Sequence, residues 1–246
     1  MVKKIENHMQ ELKIRGYHLV FCYMFTLLLC YINSQELVYL ISRPLLLQTT
    51  SVIGESSFIF TSIFEVFFTY LYLSLVLAVF FCIPICFYQI WAFLVPGFYP
   101  IEKKTISFIL SSSWSLIYLA FTLGWHLILP LICNFFLTFE MHNQLESLMN
   151  IELQAKINEY IYFTLDFIVV FSLAFQLPII LYLLIWYKLI SLKDLEKNRH
   201  YSIIIILSIA ALISPPDIIS QLSIGFPLFI IYEISIILQK LKNIYL

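Results

Sequence analysis

Long apolar stretches without a single Asp, Glu, Lys or Arg constrain this chain more than any other feature of its sequence. Residues 66–90 and 105–139 both lack these side chains. A helix needs roughly 20 residues to span the hydrocarbon core of a bilayer, so each stretch is long enough to cross a membrane. Charged residues make up only 12% of the chain, whereas soluble domains carry about 25%. Too few are therefore present to cover a surface that faces water.

The apolar stretches predict an all-α polytopic membrane protein that forms a single domain over residues 1–246. An interfacial helix is expected at 1–15, and outer loops are expected at 34–65 and 131–159. Six transmembrane helices are predicted at about 16–33, 66–90, 105–130, 160–187, 201–214 and 218–238.

The last two predicted spans are unusually short. Each holds about 15 uncharged residues, or roughly 22 Å of helix, and only Pro215-Pro216-Asp217 separates them. We expect them to form a tight helical hairpin that thins the bilayer locally.

Basic residues lie almost entirely on one side of this topology. Of the 14 Lys and Arg residues, only Arg43 and Lys156 fall in the loops assigned to the outer side. The other twelve are Lys3, Lys4, Lys13, Arg15, Lys103, Lys104, Lys188, Lys193, Lys197, Arg199, Lys240 and Lys242. Because basic loops stay on the cytoplasmic side of a membrane, both termini are predicted to face the cytoplasm or the mitochondrial matrix.

The sequence carries no motif of an enzyme active site. A glycine-rich phosphate loop and an HExxH helix are both missing from a chain with five glycines. The five cysteines lie in apolar stretches without the close-set pairs of a zinc or redox site, so we interpret them as packed or lipid-facing. We therefore predict no catalysis, no cofactor and no metal, and the net charge of −1 gives no indication of nucleic-acid binding.

A transporter of solutes or protons, or a membrane subunit of a respiratory complex, is the alternative class. Such proteins need ionisable groups across the bilayer midplane or repeated halves with broken helices. As ionisable groups across the midplane only Asp166 and His126 are candidates, and no internal repeat is visible. An intramembrane histidine more often donates a hydrogen bond to a neighbouring helix, which is how we interpret His126.

Polar residues near the predicted inner face allow two interpretations. Glu11 and Arg15 are four residues apart and can pair on one helix face, with Met9 and Leu12 on the apolar side. Glu102 follows Pro100 and precedes two lysines. Taken alone, these are the charges of a solvated interfacial helix and of a solvated loop.

The order of short motifs along the chain favours a more specific interpretation. They are His8 to Arg15 (HMQELKIR), Arg43-Pro44-Leu45, Glu65-Val66-Phe67, residues 84–99 (PICFYQIWAFLVPGFY) with Glu102-Lys103-Lys104, Phe175-Gln176-Leu177-Pro178, and Pro215-Pro216-Asp217 with Gln221, Pro227 and Tyr232-Glu233. In this order, over nearly the whole chain, they resemble the TatC family. That family is the multi-spanning subunit of the twin-arginine, or Sec-independent, protein translocase.

The resemblance implies a receptor that recognises twin-arginine signal peptides at the inner membrane face. It further implies that folded proteins cross the membrane using the proton-motive force, with single-span TatA-like and TatB-like partners. The protein would then form a homo- or hetero-oligomer in lipid. Glu11, Phe93 and Glu102 match the family's signal-binding positions, and Lys13 and Arg15 would shape the field around them. Carboxylates suit this task because each accepts two parallel N–H bonds from a guanidinium group.

Several further positions match polar or structural residues of the family. Two of the matches are departures: Lys13 replaces an arginine, and Gln176 replaces an intramembrane glutamate. An amide at 176 can still form hydrogen bonds but cannot titrate, and Asp166 is the only nearby substitute. The other positions are Pro44, Glu65, Asp217, Gln221 and Glu233, of which Asp217 is expected to cap the last helix and Glu233 to pair with Lys240 or with an inner-loop base.

The amino-acid usage suggests an organelle genome. Phe (23) and Tyr (16) are abundant while Gly (5) is scarce, a bias typical of AT-rich coding sequence. We therefore expect a multi-pass protein of the mitochondrial inner membrane with both termini in the matrix, and a bacterial inner membrane is the alternative.

The predicted topology is testable by thiol labelling. In a chain whose native cysteines are replaced by serine, Glu146→Cys and Lys193→Cys should react with an impermeant maleimide from opposite sides of a sealed vesicle. Labelling after detergent permeabilisation serves as the control for reactivity. Labelling of both positions from the same side would contradict the six-span arrangement.

Overall fold

A computed structural model describes residues 2–52, 58–59, 62–146, 156–213 and 218–245. These residues are almost entirely helical, which confirms the predicted fold class. The helices are α1 (Val2–Ile32), α2 (Ser34–Val52), α3 (Ile63–Leu94), α4 (Pro100–Leu123), α5 (Leu129–Glu146), α6 (Ile157–Ala174), α7 (Leu177–Trp186), α8 (Leu192–Lys197), α9 (Arg199–Ile213) and α10 (Ile218–Tyr245).

Five helical stretches in the described part of the chain have the length and composition to cross a membrane. They are His8–Ile32, Phe64–Gly97, Glu102–Leu137, Ile157–Trp186 and Gln221–Lys240. A sixth apolar helix, Arg199–Leu212, is shorter and corresponds to the predicted short fifth span. The last helix, in contrast, extends further than the predicted span and ends at Tyr245.

The structure adds helix to the predicted layout at three places. The interfacial helix 1–15 and the first span are one continuous helix, α1, which passes through Gly16. The outer loop predicted at 34–65 contains α2, and α5 carries helix from the third span to Glu146, inside the loop predicted at 131–159. The apolar pattern of the sequence does not predict α2 as a helix. Its buried residues Val38, Ile41 and Leu45 form one stripe between polar residues, and they do not form a continuous apolar block.

Pro130 explains an irregular turn between α4 and α5. Residues Gly124–Ile128 form a π-turn, and the Leu129 N–H donates to the Gly124 carbonyl five residues back. Proline has no N–H to continue the regular pattern, and a widened turn of this kind lets the helix pass it without ending. The Pro130 carbonyl accepts a hydrogen bond from Gln48 Nε2 at 2.7 Å.

The chain divides into two compact units. The first comprises Met1–Ser42, Ile59–Ser115 and Lys156–Leu165, and the second comprises Arg43–Phe58, Leu116–Ala155 and Asp166–Leu246. In the first unit, a cluster of buried side chains from α1, α2, α3 and α6 includes Cys30, Ile41, Leu73 and Ile161. The Tyr160 hydroxyl donates to the Ile41 carbonyl at 3.3 Å beside this cluster.

In the second unit, α9 and α10 approach closely at Gly225. A Cβ atom built on Gly225 would lie 3.1 Å from Leu207 Cδ2, and Gln221 Nε2 donates to the Leu207 carbonyl at 3.1 Å. At their other end, the Ser202 hydroxyl donates to the Tyr232 hydroxyl at 2.9 Å. The two helices are therefore held by polar contacts at both ends of a tightly packed crossing.

Filling the space at Gly225 should loosen this crossing. We expect Gly225→Leu to destabilise the protein by about 1–3 kcal/mol because the added side chain overpacks the contact. Gly225→Ala should cost less, since the end of the Leu207 side chain can move. The midpoint of unfolding in mixed detergent–SDS micelles measures the effect, and Gly16→Leu, where nothing lies within 4 Å, is the matched control. A Gly225→Leu protein as stable as this control would contradict the packing.

Candidate functional site

In the first unit, Arg15 joins the first half of α1 to the end of α3. Its Nε and Nη2 donate to Glu11 Oε1 at 3.1 and 2.6 Å. Its Nη1 donates to Gln89 Oε1 at 3.2 Å, and Nη2 also donates to the Ala92 carbonyl at 3.3 Å. Arg15 is half-buried, and charge-assisted bonds of this type are about twice as strong as neutral ones. The guanidinium therefore fixes the Glu11 carboxylate relative to α3.

His8 and Phe93 lie next to this ion pair. The two rings stack with centroids 4.5 Å apart and an interplanar angle of 19°. His8 Nδ1 lies 3.9 Å from Glu11 Oε2. The two carboxylate oxygens thus have different surroundings, because Oε1 receives the Arg15 guanidinium while Oε2 faces the imidazole over Phe93.

A polar cleft opens beside Glu11. It has a volume of about 530 Å³ and is lined by Gln10, Glu11, Ile14, Arg15, His18, Tyr88 and Gln89. Acceptor oxygens from two helices therefore line one open space at the end of the unit where α1 begins and α3 ends. Such a space suits a cationic ligand with several N–H donors.

Glu102 is held at the start of α4. Its Oε2 accepts a hydrogen bond from the Tyr99 N–H at 3.2 Å, the arrangement of an N3 glutamate that caps its own helix. A carboxylate in a first helical turn is also stabilised by the helix dipole. Lys13 is exposed on α1. The structure thus brings together three of the five predicted binding residues: Glu11 and Arg15 directly, and Phe93 through His8. The other two, Glu102 and Lys13, make none of these contacts.

Two contributors to the site, His8 and Gln89, were not assigned a role from sequence. Both stand in the motifs quoted for the family resemblance. Gln89 is four residues before Phe93 and His8 is three before Glu11, so each shares a helix face with a predicted residue. This helical spacing was the sequence feature from which a role of His8 and Gln89 in the site could have been predicted.

Gln176 marks a break in the fourth long span. The chain leaves α6 at Ala174, and the Gln176 carbonyl accepts from the N–H groups of Ile179 and Ile180, each at 3.1 Å. Pro178 follows within the first turn of α7 and cannot donate to the preceding turn, which accounts for the break. The Gln176 side chain is half-buried at this point.

Near the end of the second unit where α9 begins, ion pairs connect α8, α9 and α10. Arg199 Nη2 lies 3.2 Å from Glu233 Oε2, and Lys240 Nζ lies 2.5 Å from Glu196 Oε1. Of the two partners considered for Glu233, the structure thus pairs it with the inner-loop base Arg199. Gln221, at the other end of α10, makes the bond to Leu207 described above.

The remaining sequence candidates have other surroundings. Glu65 forms a reciprocal capping box with Ser62 at the start of α3, and Pro44 is buried inside α2. His126 is exposed in the π-turn, with its ring 4.4 Å from that of Trp125, and Asp166 is exposed on α6. Asp217 lies outside the described residues. Within those residues, no group of three or more His, Cys, Asp or Glu side chains gathers to hold a metal.

Comparison with known proteins gives a consistent result. Residues 7–227 match the family model described as Sec-independent protein translocase protein (TatC). The tatC-like protein ymf16 of Reclinomonas americana is 35% identical, with 98% of this chain aligned to 89% of the relative. TatC of Rickettsia prowazekii is 33% identical, with 95% of this chain aligned to 91% of the relative.

The fold is similar to a solved structure with a related sequence. A crystal structure of the twin arginine translocase receptor TatC in DDM superposes with a TM-score of 0.71 at 28% identity. The match covers 94% of this chain and 98% of that one.

Proposed function

The chain belongs to the TatC family of Sec-independent protein translocase proteins, and from this membership we propose that it is the subunit that binds twin-arginine signal peptides. The observation that carries the proposal is the Arg15 guanidinium seated on Glu11 with two N–H bonds to one oxygen. This internal pair, beside an open polar cleft, supports a role of the Glu11 carboxylate as an acceptor for guanidinium groups. A cargo arginine requires the same chemistry.

The second Glu11 oxygen is the binding position we assign to the first cargo arginine. Oε2 faces only the weak 3.9 Å contact of His8, and the His8 ring covers Phe93. A guanidinium that displaced His8 would donate N–H bonds to Oε2 and stack on the Phe93 ring, and cations stack favourably on aromatic faces. His8 is then a placeholder that leaves when the peptide binds.

Glu102 is our assignment for the second cargo arginine. Its capping bond to the Tyr99 N–H keeps the carboxylate oriented at the start of α4. A twin-arginine motif would thus be recognised by carboxylates on two separate helices, with Lys13 and Arg15 setting the surrounding field.

Removing either charge without breaking local structure should weaken binding of the peptide. Glu11→Gln keeps an acceptor for Arg15, and Glu102→Gln keeps the capping bond because glutamine serves equally at N3. We expect each to raise the Kd of a twin-arginine peptide roughly tenfold, because a charge-assisted bond is lost. Fluorescence anisotropy of a labelled peptide on the detergent-solubilised protein measures this.

The control variant is Glu6→Gln, which removes an exposed acidic charge from the same helix α1. It should bind the peptide like the parent, and a twin-lysine peptide should bind weakly to all variants. Unchanged binding by both Glu11→Gln and Glu102→Gln would remove these residues from the receptor site.

As a translocase subunit, the protein works with partner subunits, and we propose single-span TatA-like and TatB-like helices for this role. An apolar groove of about 920 Å³ in the second unit supports the proposal. Its lining includes Leu119, Leu123, Leu207, Leu222, Phe226 and Ile230. A membrane-spanning helix with small and aliphatic side chains would fit such a groove. Transport itself would use the proton-motive force, and we assign no catalysis to this chain.

The protein is a multi-pass membrane protein, and we place it in the mitochondrial inner membrane with both termini in the matrix. Relatives named tatC-like protein ymf16 in Reclinomonas americana and Arabidopsis thaliana support an organellar origin, and the distribution of basic residues supports the orientation. A bacterial inner membrane, with cytoplasmic termini, is the alternative.

Restoring a titratable group at residue 176 tests the role of the helix break. Gln176→Glu should make transport of a twin-arginine reporter into vesicles depend more strongly on pH, because a half-buried carboxyl in the membrane can exchange a proton. Gln176→Met is the control, since it keeps the size and adds no charge. An unaltered pH profile for Gln176→Glu would indicate that the residue is structural.

A further inference from the structure

We propose that a second cleft of the first unit, between the end of α3 and the start of α4, binds the phosphate headgroup of an anionic phospholipid. The cleft has a volume of about 490 Å³, and its lining includes Trp91, Lys103, Lys104, Ser107, Phe108 and Ser111. It contains no acidic side chain among its lining residues. Two ammonium groups and two hydroxyls thus line a single open space.

Trp91 adds a donor that has no acceptor. Within the described part of the chain, its indole Nε1 is buried and has no hydrogen-bond partner, whereas indole N–H groups usually find one when buried. Lys103 Nζ lies over the Trp91 ring, 5.8 Å from its centroid. A phosphate oxygen near Lys103 would neutralise the lysine charge, and a turn of the indole ring toward it would give the buried N–H its acceptor.

The cleft lies where two membrane-spanning stretches meet the membrane boundary. One stretch, Phe64–Gly97, ends just after Trp91, and the other, Glu102–Leu137, begins just before Lys103. From Lys103, the exposed residues Ser107 and Ser111 follow at intervals of four, which extends one polar stripe roughly 12 Å along the helix. The glycerol and ester groups of a bound lipid would contact these exposed hydroxyls.

The surroundings favour a lipid over a free phosphate ion as the source of the anion. Phe108 is 60% exposed beside the lysines, which provides an apolar surface for the start of an acyl chain. Tryptophan is enriched at headgroup level in membrane proteins, and basic pockets on the inner side bind anionic headgroups. A soluble phosphate would make no use of the apolar surface.

This cleft opens on a different face of α3 from the cleft beside Glu11. Gln89 and Phe93 lie on one face of α3, and Trp91 is two residues from each, which puts it about 200° around the helix. The lysines would also repel cargo arginines. The inference therefore does not depend on the receptor function, and either can fail alone.

Native mass spectrometry of the full-length, detergent-solubilised protein titrated with phosphatidylglycerol tests the proposal. Lys103→Gln combined with Lys104→Gln should weaken lipid binding at least about tenfold, because each basic residue near anionic lipid contributes roughly fivefold. Trp91→Phe, which keeps a ring but removes the N–H, should weaken binding roughly threefold. The matched control is Lys193→Gln with Lys197→Gln, which removes two exposed lysines on α8.

The proposal holds if both cleft variants lose affinity, the control does not, and phosphatidylcholine binds weakly to all proteins. It fails if either cleft variant binds phosphatidylglycerol like the parent or if the control loses as much. Displacement of the lipid by inorganic phosphate at a similar concentration would overturn the assignment to a lipid. The midpoint of unfolding of the Lys103→Gln, Lys104→Gln protein in mixed detergent–SDS micelles reports separately on its fold.

Discussion

The structure depends on the need to satisfy every backbone N–H and C=O where no water is available. In a bilayer core, only regular helices or closed barrels achieve this within the chain. Each interruption in the long spans of this protein is therefore local and compensated. At Pro130 the helix widens into a π-turn in which Leu129 donates five residues back, and at Pro178 the chain starts a new helix with the Gln176 carbonyl accepting two N–H groups. Breaks of this kind are positions where polar side chains can enter the membrane at low cost.

For the same reason, two long-range contacts of charged side chains each involve the end of one helix. Arg15 reaches from α1 to the last turns of α3, and Arg199 reaches from α9 to α10. At such a boundary a charged group remains partly hydrated, so its pairing does not carry the full cost of burial. The same boundary is where a soluble cargo peptide first meets the protein. Fixing the geometry of Glu11 through Arg15 thus prepares the site while the two opposite charges compensate each other.

The sequence was sufficient for the fold class, because a charge-free stretch such as 66–90 has few alternatives to a membrane helix. It was insufficient for α2, whose buried stripe of Val38, Ile41 and Leu45 is interrupted by polar residues and gives no continuous apolar signal. In the candidate site, Glu11 and Arg15 could be paired from their spacing on one helix. The contact of Arg15 with Gln89 joins residues 74 positions apart, and local periodicity carries no information about which helices pack together. The bond from Arg15 to the Ala92 carbonyl was even harder to predict from sequence, because every residue type has a backbone carbonyl.

Opposite charges, from α1 and from α4, line two clefts beside the last turns of α3. Glu11 lines one cleft and Lys103 with Lys104 lines the other, while the helix between them carries Gln89 toward the first and Trp91 toward the second. An anionic headgroup held by the lysines would screen their charge, which otherwise would raise the energy of a diarginine segment nearby. Lipid bound in one cleft would thereby strengthen peptide binding in the other without any contact between the two ligands. This electrostatic coupling between lipid and peptide requires that the distance between the two clefts stays fixed. The bonds from Arg15 to Gln89 and Ala92 hold the end of α3 in place for this.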